Sequence, residues 1–302
     1  MHYRTLGRTG ERVSAIGLGG AHVARPADPA ETTRIIHAAI DGGLTFMDNC
    51  WDYHNGQAEV KMGYALRGGY RERVFLMTKI DGHSRDAAAG QIDQCLERLQ
   101  TDRIDLIQLH EMIRPADPER VFAPNGAMEA LVAARDAGKI RYIGFTGHKD
   151  PAVHLAMLNQ GFDFDTVQMP LNALDHHYRS FEARVLPVLV ERNIGVLGMK
   201  PLASGRLPKD GTLSAEECLR YALSLPTSVV ITGCENMRDL EQALRVGETF
   251  IPMTEEEFAD IRARAASITG AETGMVEGWK TTNDFDGTIK NPHWITTASV
   301  TA

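Results

Sequence analysis

The chain has 302 residues, 43% of them hydrophobic and 24% charged, and a formal net charge of −8. That composition suits a globular protein with one large core or two modest ones, and the acidic balance argues against a nucleic-acid groove, which needs clustered Lys and Arg. No apolar run nears the roughly 20 residues that cross a bilayer, and the start Met1-His-Tyr-Arg-Thr-Leu-Gly lacks the apolar stretch of a secretory signal, so a cytoplasmic protein without membrane partners is expected.

From the N-terminus, Tyr3 to Ser14 carries Gly7-Arg-Thr-Gly-Glu between short extended runs and is predicted to form a hairpin plugging one end of the fold. Eight short apolar runs follow. They are Val13-Ser-Ala-Ile-Gly-Leu-Gly, Leu44-Thr-Phe-Met-Asp, Val74-Phe-Leu-Met-Thr-Lys, Ile104-Asp-Leu-Ile-Gln-Leu-His, Tyr142-Ile-Gly-Phe-Thr-Gly, Thr166-Val-Gln-Met-Pro, Ile194-Gly-Val-Leu-Gly-Met-Lys and Val229-Val-Ile-Thr-Gly. Continuous apolar runs, rather than strict alternation, suit parallel strands covered on both faces.

Helical patterns lie between them. Asp86 caps a segment with Ile92, Cys95, Leu96 and Leu99 on one face, and similar helices fit Pro29–Asp41, Gly126–Ala137, Pro151–Asn159, Ser180–Arg192, Ser214–Leu223, Met237–Val246 and Thr254–Ala266. Eight strands each followed by a helical stretch predict one (β/α)8 barrel domain over residues 1–302, of the roughly 250-residue class. An open doubly wound sheet is the rival, but Gly17-Leu-Gly-Gly-Ala-His has only the first two glycines of G-x-G-x-x-G.

Two segments stand outside the repeat. Met112–Asn125, with three prolines after the fourth barrel strand, reads as a long loop, and such loops are usually lids or disordered. The tail beyond Ile268, rich in Gly, Thr and Asn and carrying Trp279 and Trp294, either folds over the mouth or trails loosely.

Barrel enzymes build their sites where strands end, so polar residues there carry the functional information. Those ends supply Asp48, Lys79, His110-Glu111, Thr146-Gly147-His148, Gln168 and Asn172, and Tyr53 follows five residues after Asp48. A Lys and an Asp at an apolar mouth would pair, because either charge alone is costly there. The Lys cation would then favour phenolate and lower the Tyr53 pKa from about 10. A tuned Tyr beside a His is a sound proton donor to a carbonyl oxygen becoming alkoxide. Singly, Asp48 and Lys79 also read as a structural ion pair, Tyr53 as packing and His110 as a satisfied barrel-mouth histidine. Cys50, Cys95, Cys218 and Cys234 form no C-x-x-C pair and read as reduced thiols, with Cys50 a pocket wall unless an electropositive neighbour activates it.

These blocks resemble the aldo-keto reductase family over nearly the whole chain. The resemblance rests on Tyr3-Arg-Thr-Leu-Gly-Arg-Thr-Gly, on Asp48…Tyr53…Gly56…Glu59…Gly63-Tyr-Ala-Leu and on Lys79. It continues through Asp105-Leu-Ile-Gln-Leu-His, Lys139-Ile-Arg-Tyr-Ile-Gly and Gln168…Asn172. It implies a tetrad in which Tyr53 is the general acid/base, Lys79 tunes it, Asp48 binds that Lys and His110 orients the carbonyl. It also implies hydride transfer between a nicotinamide and a carbonyl or alcohol substrate (an aldehyde, ketone or sugar), with Trp51, His54 and His148 at the substrate mouth.

On the cofactor side the resemblance points to Thr146, Gly147 and Gln168 at the nicotinamide, with Met199 where the family commonly stacks a Tyr. Pro201, Leu202 and Gly205 fit the pyrophosphate loop. Gly233, Glu235, Asn236, Arg238, Asp239 and Gln242 fit the adenosine turn and helix start. The usual Ser-Asn pair is here Thr146-Gly147. Glu235 would repel a 2′-phosphate but accept from ribose hydroxyls, which points to NAD(H). Family habit points to NADP(H), which is placed ahead because Arg238 or a lysine from elsewhere can reach.

Two other readings stay open at this level. His110, Glu111, His148 and Asp48 at strand ends fit a metal-dependent barrel hydrolase or isomerase, although Lys79 puts a cation where the metal would sit. The resemblance also admits a cofactor-binding redox sensor or regulatory subunit with little turnover.

Overall fold

The computed structural model describes residues 1–209 and 211–267, so the expected tail over the mouth lies outside the described residues. Among the described residues ten strands are present: β1 (Tyr3–Thr5), β2 (Arg12–Ser14), β3 (Ile16–Gly19), β4 (Phe46–Asp48), β5 (Phe75–Ile80), β6 (Ile104–Leu109), β7 (Ile140–Thr146), β8 (Thr166–Pro170), β9 (Gly195–Met199) and β10 (Val229–Thr232). Strands β3 to β10 pair in parallel and close into a barrel when β10 meets β3, with Val230 opposite Ile16. The eight-strand expectation therefore holds, and its first run is divided. Ser14 and Thr45 exchange hydrogen bonds, Ser14 N to Thr45 Oγ1 and Thr45 N to Ser14 Oγ, each 2.9 Å, and this joint ends the hairpin and starts the barrel.

The β1–β2 hairpin covers the end of the barrel opposite the strand C-termini. Its turn lies against the residues that lead into β9, and Arg8 N donates to Asn193 O at 2.8 Å. Gly7 has φ +49° and a Cβ there would fall 2.3 Å from Gly195 N, so only glycine fits. Above this plug, Phe46, Phe75, Leu106, Leu197, Val229 and Ile231 fill the barrel together with Leu6 and Val13. A larger apolar layer joins the barrel exterior to the helices.

The helices are α1 (Gly20–Val23), α2 (Pro29–Asp41), α3 (Gln57–Ala65), α4 (Arg85–Leu99), α5 (Asp117–Phe122), α6 (Ala127–Asp136), α7 (Pro151–Leu158), α8 (Phe181–Arg184), α9 (Leu186–Glu191), α10 (Arg206–Lys209), α11 (Ala215–Ser224), α12 (Met237–Thr249) and α13 (Glu255–Ser267). Three sequence expectations are corrected. Ser84, not Asp86, caps α4, its hydroxyl accepting from Ala87 N, while Asp86 sits in the first turn and favours the helix dipole. The single helix expected over 180–192 is two, because Pro187 lacks the N–H that a continuous helix would use. The 112–125 segment is not a bare loop, since α5 forms within it and Asp117 Oδ2 accepts from Ile113 N and Arg114 N at 3.0 and 2.8 Å. No helix among the described residues is long and apolar enough to cross a membrane.

Candidate active site

The barrel brings Asp48, Tyr53, Lys79 and His110 together at the C-terminal ends of β4, β5 and β6. Asp48 ends β4 and Lys79 lies one residue before the end of β5, and both are almost completely buried. Lys79 Nζ pairs with Asp48 Oδ1 and donates to Asn49 O at 2.8 Å and to Tyr53 Oη at 3.2 Å. Burial opposes the ammonium charge. Asp48, with Tyr53 and Cys50, outweighs that penalty and holds Lys79 above its ordinary value.

Tyr53 is delivered by a tight turn rather than by a strand. His54, Asn55 and Gly56 have φ of 53°, 54° and 84°, and Tyr53 O accepts from Gly56 N at 3.1 Å and Ala58 N at 3.3 Å as α3 begins. The rest of that sequence block is scaffold. Glu59 is fully buried and accepts from Thr78 Oγ1 at 2.6 Å, while a Cβ on Gly63 would meet the Arg98 carbonyl at 2.5 Å. Lys79 pulls the Tyr53 pKa down as expected, but the expected net lowering is overturned. Burial outweighs the cation and pushes the phenol up to about 12, so Tyr53 keeps its proton through the neutral range.

His110 is buried, and its ring stands edge-on to Tyr53 with centroids 6.0 Å apart. Its Nδ1 lies 2.6 Å from Asp81 Oδ1 and 3.4 Å from Cys50 Sγ. Burial works against a charged ring, whereas Cys50, Glu111 and Asp81 favour it and prevail. Burial pushes the Cys50 thiol up to about 11, so it stays protonated and the carboxylates are the charges present at neutral pH. Cys50, Asp81 and His110 offer donor atoms within 4.8 Å of one another. Two ligands on one tetrahedral ion stand about 3.3 Å apart when each bond is near 2 Å, so the 2.6 Å contact is that of a hydrogen bond.

Around this centre the other expected residues fall into three groups. Thr146 and Gln168 sit side by side in register on β7 and β8. Gln168 Nε2 donates to Asp48 Oδ2 at 3.3 Å, while its buried Oε1 has no partner among the described residues. Thr146 Oγ1 lies 4.0 Å from Met199 Sδ, and a Cβ on Gly147 would fall 2.3 Å from Met112 O. His148 is buried, its Nε2 3.9 Å from Glu111 Oε1, which is itself 3.8 Å from His110 Nε2.

Beyond β9, Lys200, Ala203, Ser204 and Gly205 have φ of 53°, 49°, 58° and 82°. Pro201 and Leu202 lie within that turn, which is closed by Ala203 N donating to Lys200 O at 2.8 Å and Gly205 N to Leu202 O at 3.0 Å. Burial lowers the Lys200 ammonium to about 8 against the pull of Glu111.

The third group is the turn after β10. Asn236 caps α12 by accepting from Asp239 N at 3.1 Å, and Asp239 Oδ2 in turn accepts from Glu235 N at 3.2 Å. Arg238 is exposed in the first turn and Gln242 half-buried in the second. Glu235 is ion-paired to Arg25 and bonded to His22 Nδ1 at 2.7 Å, and the Gly233 backbone packs on the His22 ring. Against a burial penalty, His22 and Arg25 hold Glu235 below the usual carboxylate range.

Two expected mouth residues turn elsewhere. Trp51 donates from Nε1 to Gln94 Oε1 at 2.8 Å and lies under the Arg98 guanidinium, which ties it to α4. His54 Nε2 meets Ala21 O at 2.7 Å on the exposed rim. Sequence reasoning missed Asp81, Lys200, His22 and Arg25. Asp81, a carboxylate two residues past Lys79, and Lys200, a cation directly after β9, carried the strand-end signal; His22 and Arg25 meet Glu235 only through the fold.

The family model for the Aldo/keto reductase family matches residues 15–217. The uncharacterized oxidoreductase YrpG of Bacillus subtilis (strain 168) is 32% identical over 68% of this chain and 68% of its own length. A 6-dehydroglucose reductase of Novosphingobium aromaticivorans is 30% identical over 70% of this chain and 72% of its own. Among solved structures, an aldo/keto reductase from Klebsiella pneumoniae in complex with NADP and acetate has a TM-score of 0.70 at 25% identity, covering 87% of this chain and 95% of that one.

Proposed function

The chain belongs to the aldo/keto reductase family and is an oxidoreductase, and from that premise we propose that it moves hydride between a nicotinamide dinucleotide and a carbonyl or alcohol. The observation that carries this reading is the bond from Lys79 Nζ to Tyr53 Oη, made while the same ammonium is held by Asp48 beside His110. When bound, the nicotinamide supplies the hydride. Gln168 Oε1, the buried acceptor without a partner, and Thr146 would hold its carboxamide. The Lys200–Gly205 turn beyond β9 would run along the pyrophosphate, and the Glu235 turn would hold the adenosine.

Tyr53, protonated through the neutral range, gives its hydroxyl proton to the substrate oxygen as negative charge grows there. Lys79 stabilises the phenolate left behind, and Asp48 keeps Lys79 charged and aimed. His110 and Lys79 present positive charge in a water-poor mouth, where such charge is worth far more than in water.

NADP(H) is placed ahead of NAD(H), now on the Arg25 cation paired with Glu235. The substrate is a small aldehyde, ketone or sugar. The polar wall of Glu111 and His148 favours one that carries hydroxyl groups near the carbonyl, and the Novosphingobium relative is named for a sugar substrate.

Titrating the protein with NADPH and NADH, followed by quenching of Trp fluorescence, tests the reading. Saturable binding of either is expected, with NADPH the tighter. Binding of neither would remove the proposal.

A further inference from the structure

Asp81 lies just past β5 and is fully buried. Its position is set by Gln91 on α4, whose Oε1 accepts from the backbone N–H groups of Asp81 and Gly82, each at 2.8 Å. From there Asp81 Oδ1 stands 2.6 Å from His110 Nδ1. A carboxylate has no proton to give, so the shared proton belongs to Nδ1. The opposite nitrogen, Nε2, faces Glu111 Oε1 at 3.8 Å on the mouth side of the ring.

This arrangement has a chemical consequence. With Nδ1 protonated, neutral imidazole has a bare Nε2 that only accepts a hydrogen bond. The imidazolium has an Nε2–H that only donates. A carbonyl oxygen needs a donor, and an alcohol hydroxyl needs an acceptor.

We propose that Asp81 is the positioning residue that fixes the His110 tautomer, so that His110 binds a carbonyl as imidazolium and an alcohol as neutral imidazole. The proposal rests on the carbonyl–alcohol reading given above. It makes the charge of His110 decide which of the two substrates is held, while Tyr53 carries the proton of the reaction itself. Every element packed on the ring contributes a titratable or charged group: Cys50 and Tyr53 after β4, Lys79 and Asp81 at β5, Glu111 after β6, and His148 behind Glu111. Of the acids among the described residues, Asp81 alone is within hydrogen-bond reach of Nδ1 as a charged acceptor.

The test is nitrogen-15 histidine NMR on the full chain without added ligand, with the His110 signals identified by their absence in His110→Gln. The expected result is an Nδ1-protonated neutral ring whose midpoint lies above the ordinary value of about 6.5. A neutral ring protonated at Nε2 in the wild-type protein would overturn the proposal, whether or not any variant folds. Asp81→Asn should lower the midpoint by about one to three pH units, and Asp81→Glu should restore part of it. An unchanged midpoint in a folded Asp81→Asn protein would also overturn it.

Kinetics give the second arm. In the wild type the KM for a ketone should rise, and that for the alcohol fall, as pH passes the NMR midpoint, with kcat moving less. In Asp81→Asn both crossings should shift to lower pH together. A protein with the expected tautomer but no turnover with either nicotinamide would leave the Asp81–His110 geometry standing and remove the carbonyl–alcohol reading instead.

Discussion

Glu235, on the turn before α12, is ion-paired to Arg25, which follows α1 on the neighbouring side of the β10–β3 seam. The pair changes the meaning of an acidic residue at the adenosine end. A lone carboxylate would repel a 2′-phosphate; one already ion-paired with Arg25 does not, and Arg25 brings a fork of donors suited to phosphate. A hydrogen bond to a charged group is worth roughly 1.5–3 kcal/mol, so Arg25→Ala should weaken NADPH binding about tenfold or more and NADH binding far less. Fluorescence titrations of both coenzymes check this. Equal losses for the two would mean that Arg25 only shapes the rim.

Tyr53→Phe should abolish carbonyl reduction and leave coenzyme affinity nearly unchanged, since Phe keeps the ring and removes only the hydroxyl that Lys79 contacts. Steady-state rates alongside the same titrations separate the two effects. Full activity in the variant would show that another group supplies the proton.

Lys79→Met removes one member of a nearly dry ion pair and leaves Asp48, among the described residues, with the Gln168 amide. Breaking such a pair from one side typically costs about 3–5 kcal/mol. The double change Lys79→Met with Asp48→Leu should recover much of that loss. Denaturant midpoints of the three proteins give the comparison, and a double variant no more stable than the single would contradict it.

His110 carries a signed pH dependence of stability. Its folded pKa is raised above the unfolded one, so its contribution is fully present below about pH 6.5 and is lost as pH rises through the folded value. The stability difference between wild type and His110→Gln should therefore shrink with rising pH across that window. A difference that is flat or grows with pH would refute the sign.

Gly147→Ala would place a Cβ 2.3 Å from Met112 O, a backbone atom that cannot swing aside. Overpacking costs typically about 1–3 kcal/mol, and here it falls beside Thr146 and Gln168. A lowered melting temperature together with weaker coenzyme binding is expected from calorimetry and titration. A variant unchanged in both would show that the loop relaxes freely.

The parts of this molecule that the sequence displays plainly are those set by local pattern. The eight apolar runs became the barrel strands because a sheet covered on both faces needs them. Asp48, Lys79 and His110 could be placed at one mouth because strand ends are countable. The misjudged details turn on competition between neighbours: Ser84 took the cap that Asp86 also suits, and Pro187 split a run whose apolar spacing looked continuous. The clasp of Arg25 on Glu235 joins chain ends that no periodicity connects. The Tyr53 pKa went the other way because the pairing with Lys79 is visible in sequence, whereas the depth of burial is not.

The pairing of β10 with β3 also bears on how the chain is made. A ribosome delivers β3 well before β10, so in the interval one side of β3 lacks its partner strand. Such an edge invites pairing with other nascent chains. The β1–β2 hairpin cannot cover the barrel floor in the meantime, because its turn docks on residues leading into β9, themselves late to emerge. Closure of the ring and seating of the plug thus both wait for the last strands of the barrel, β9 and β10.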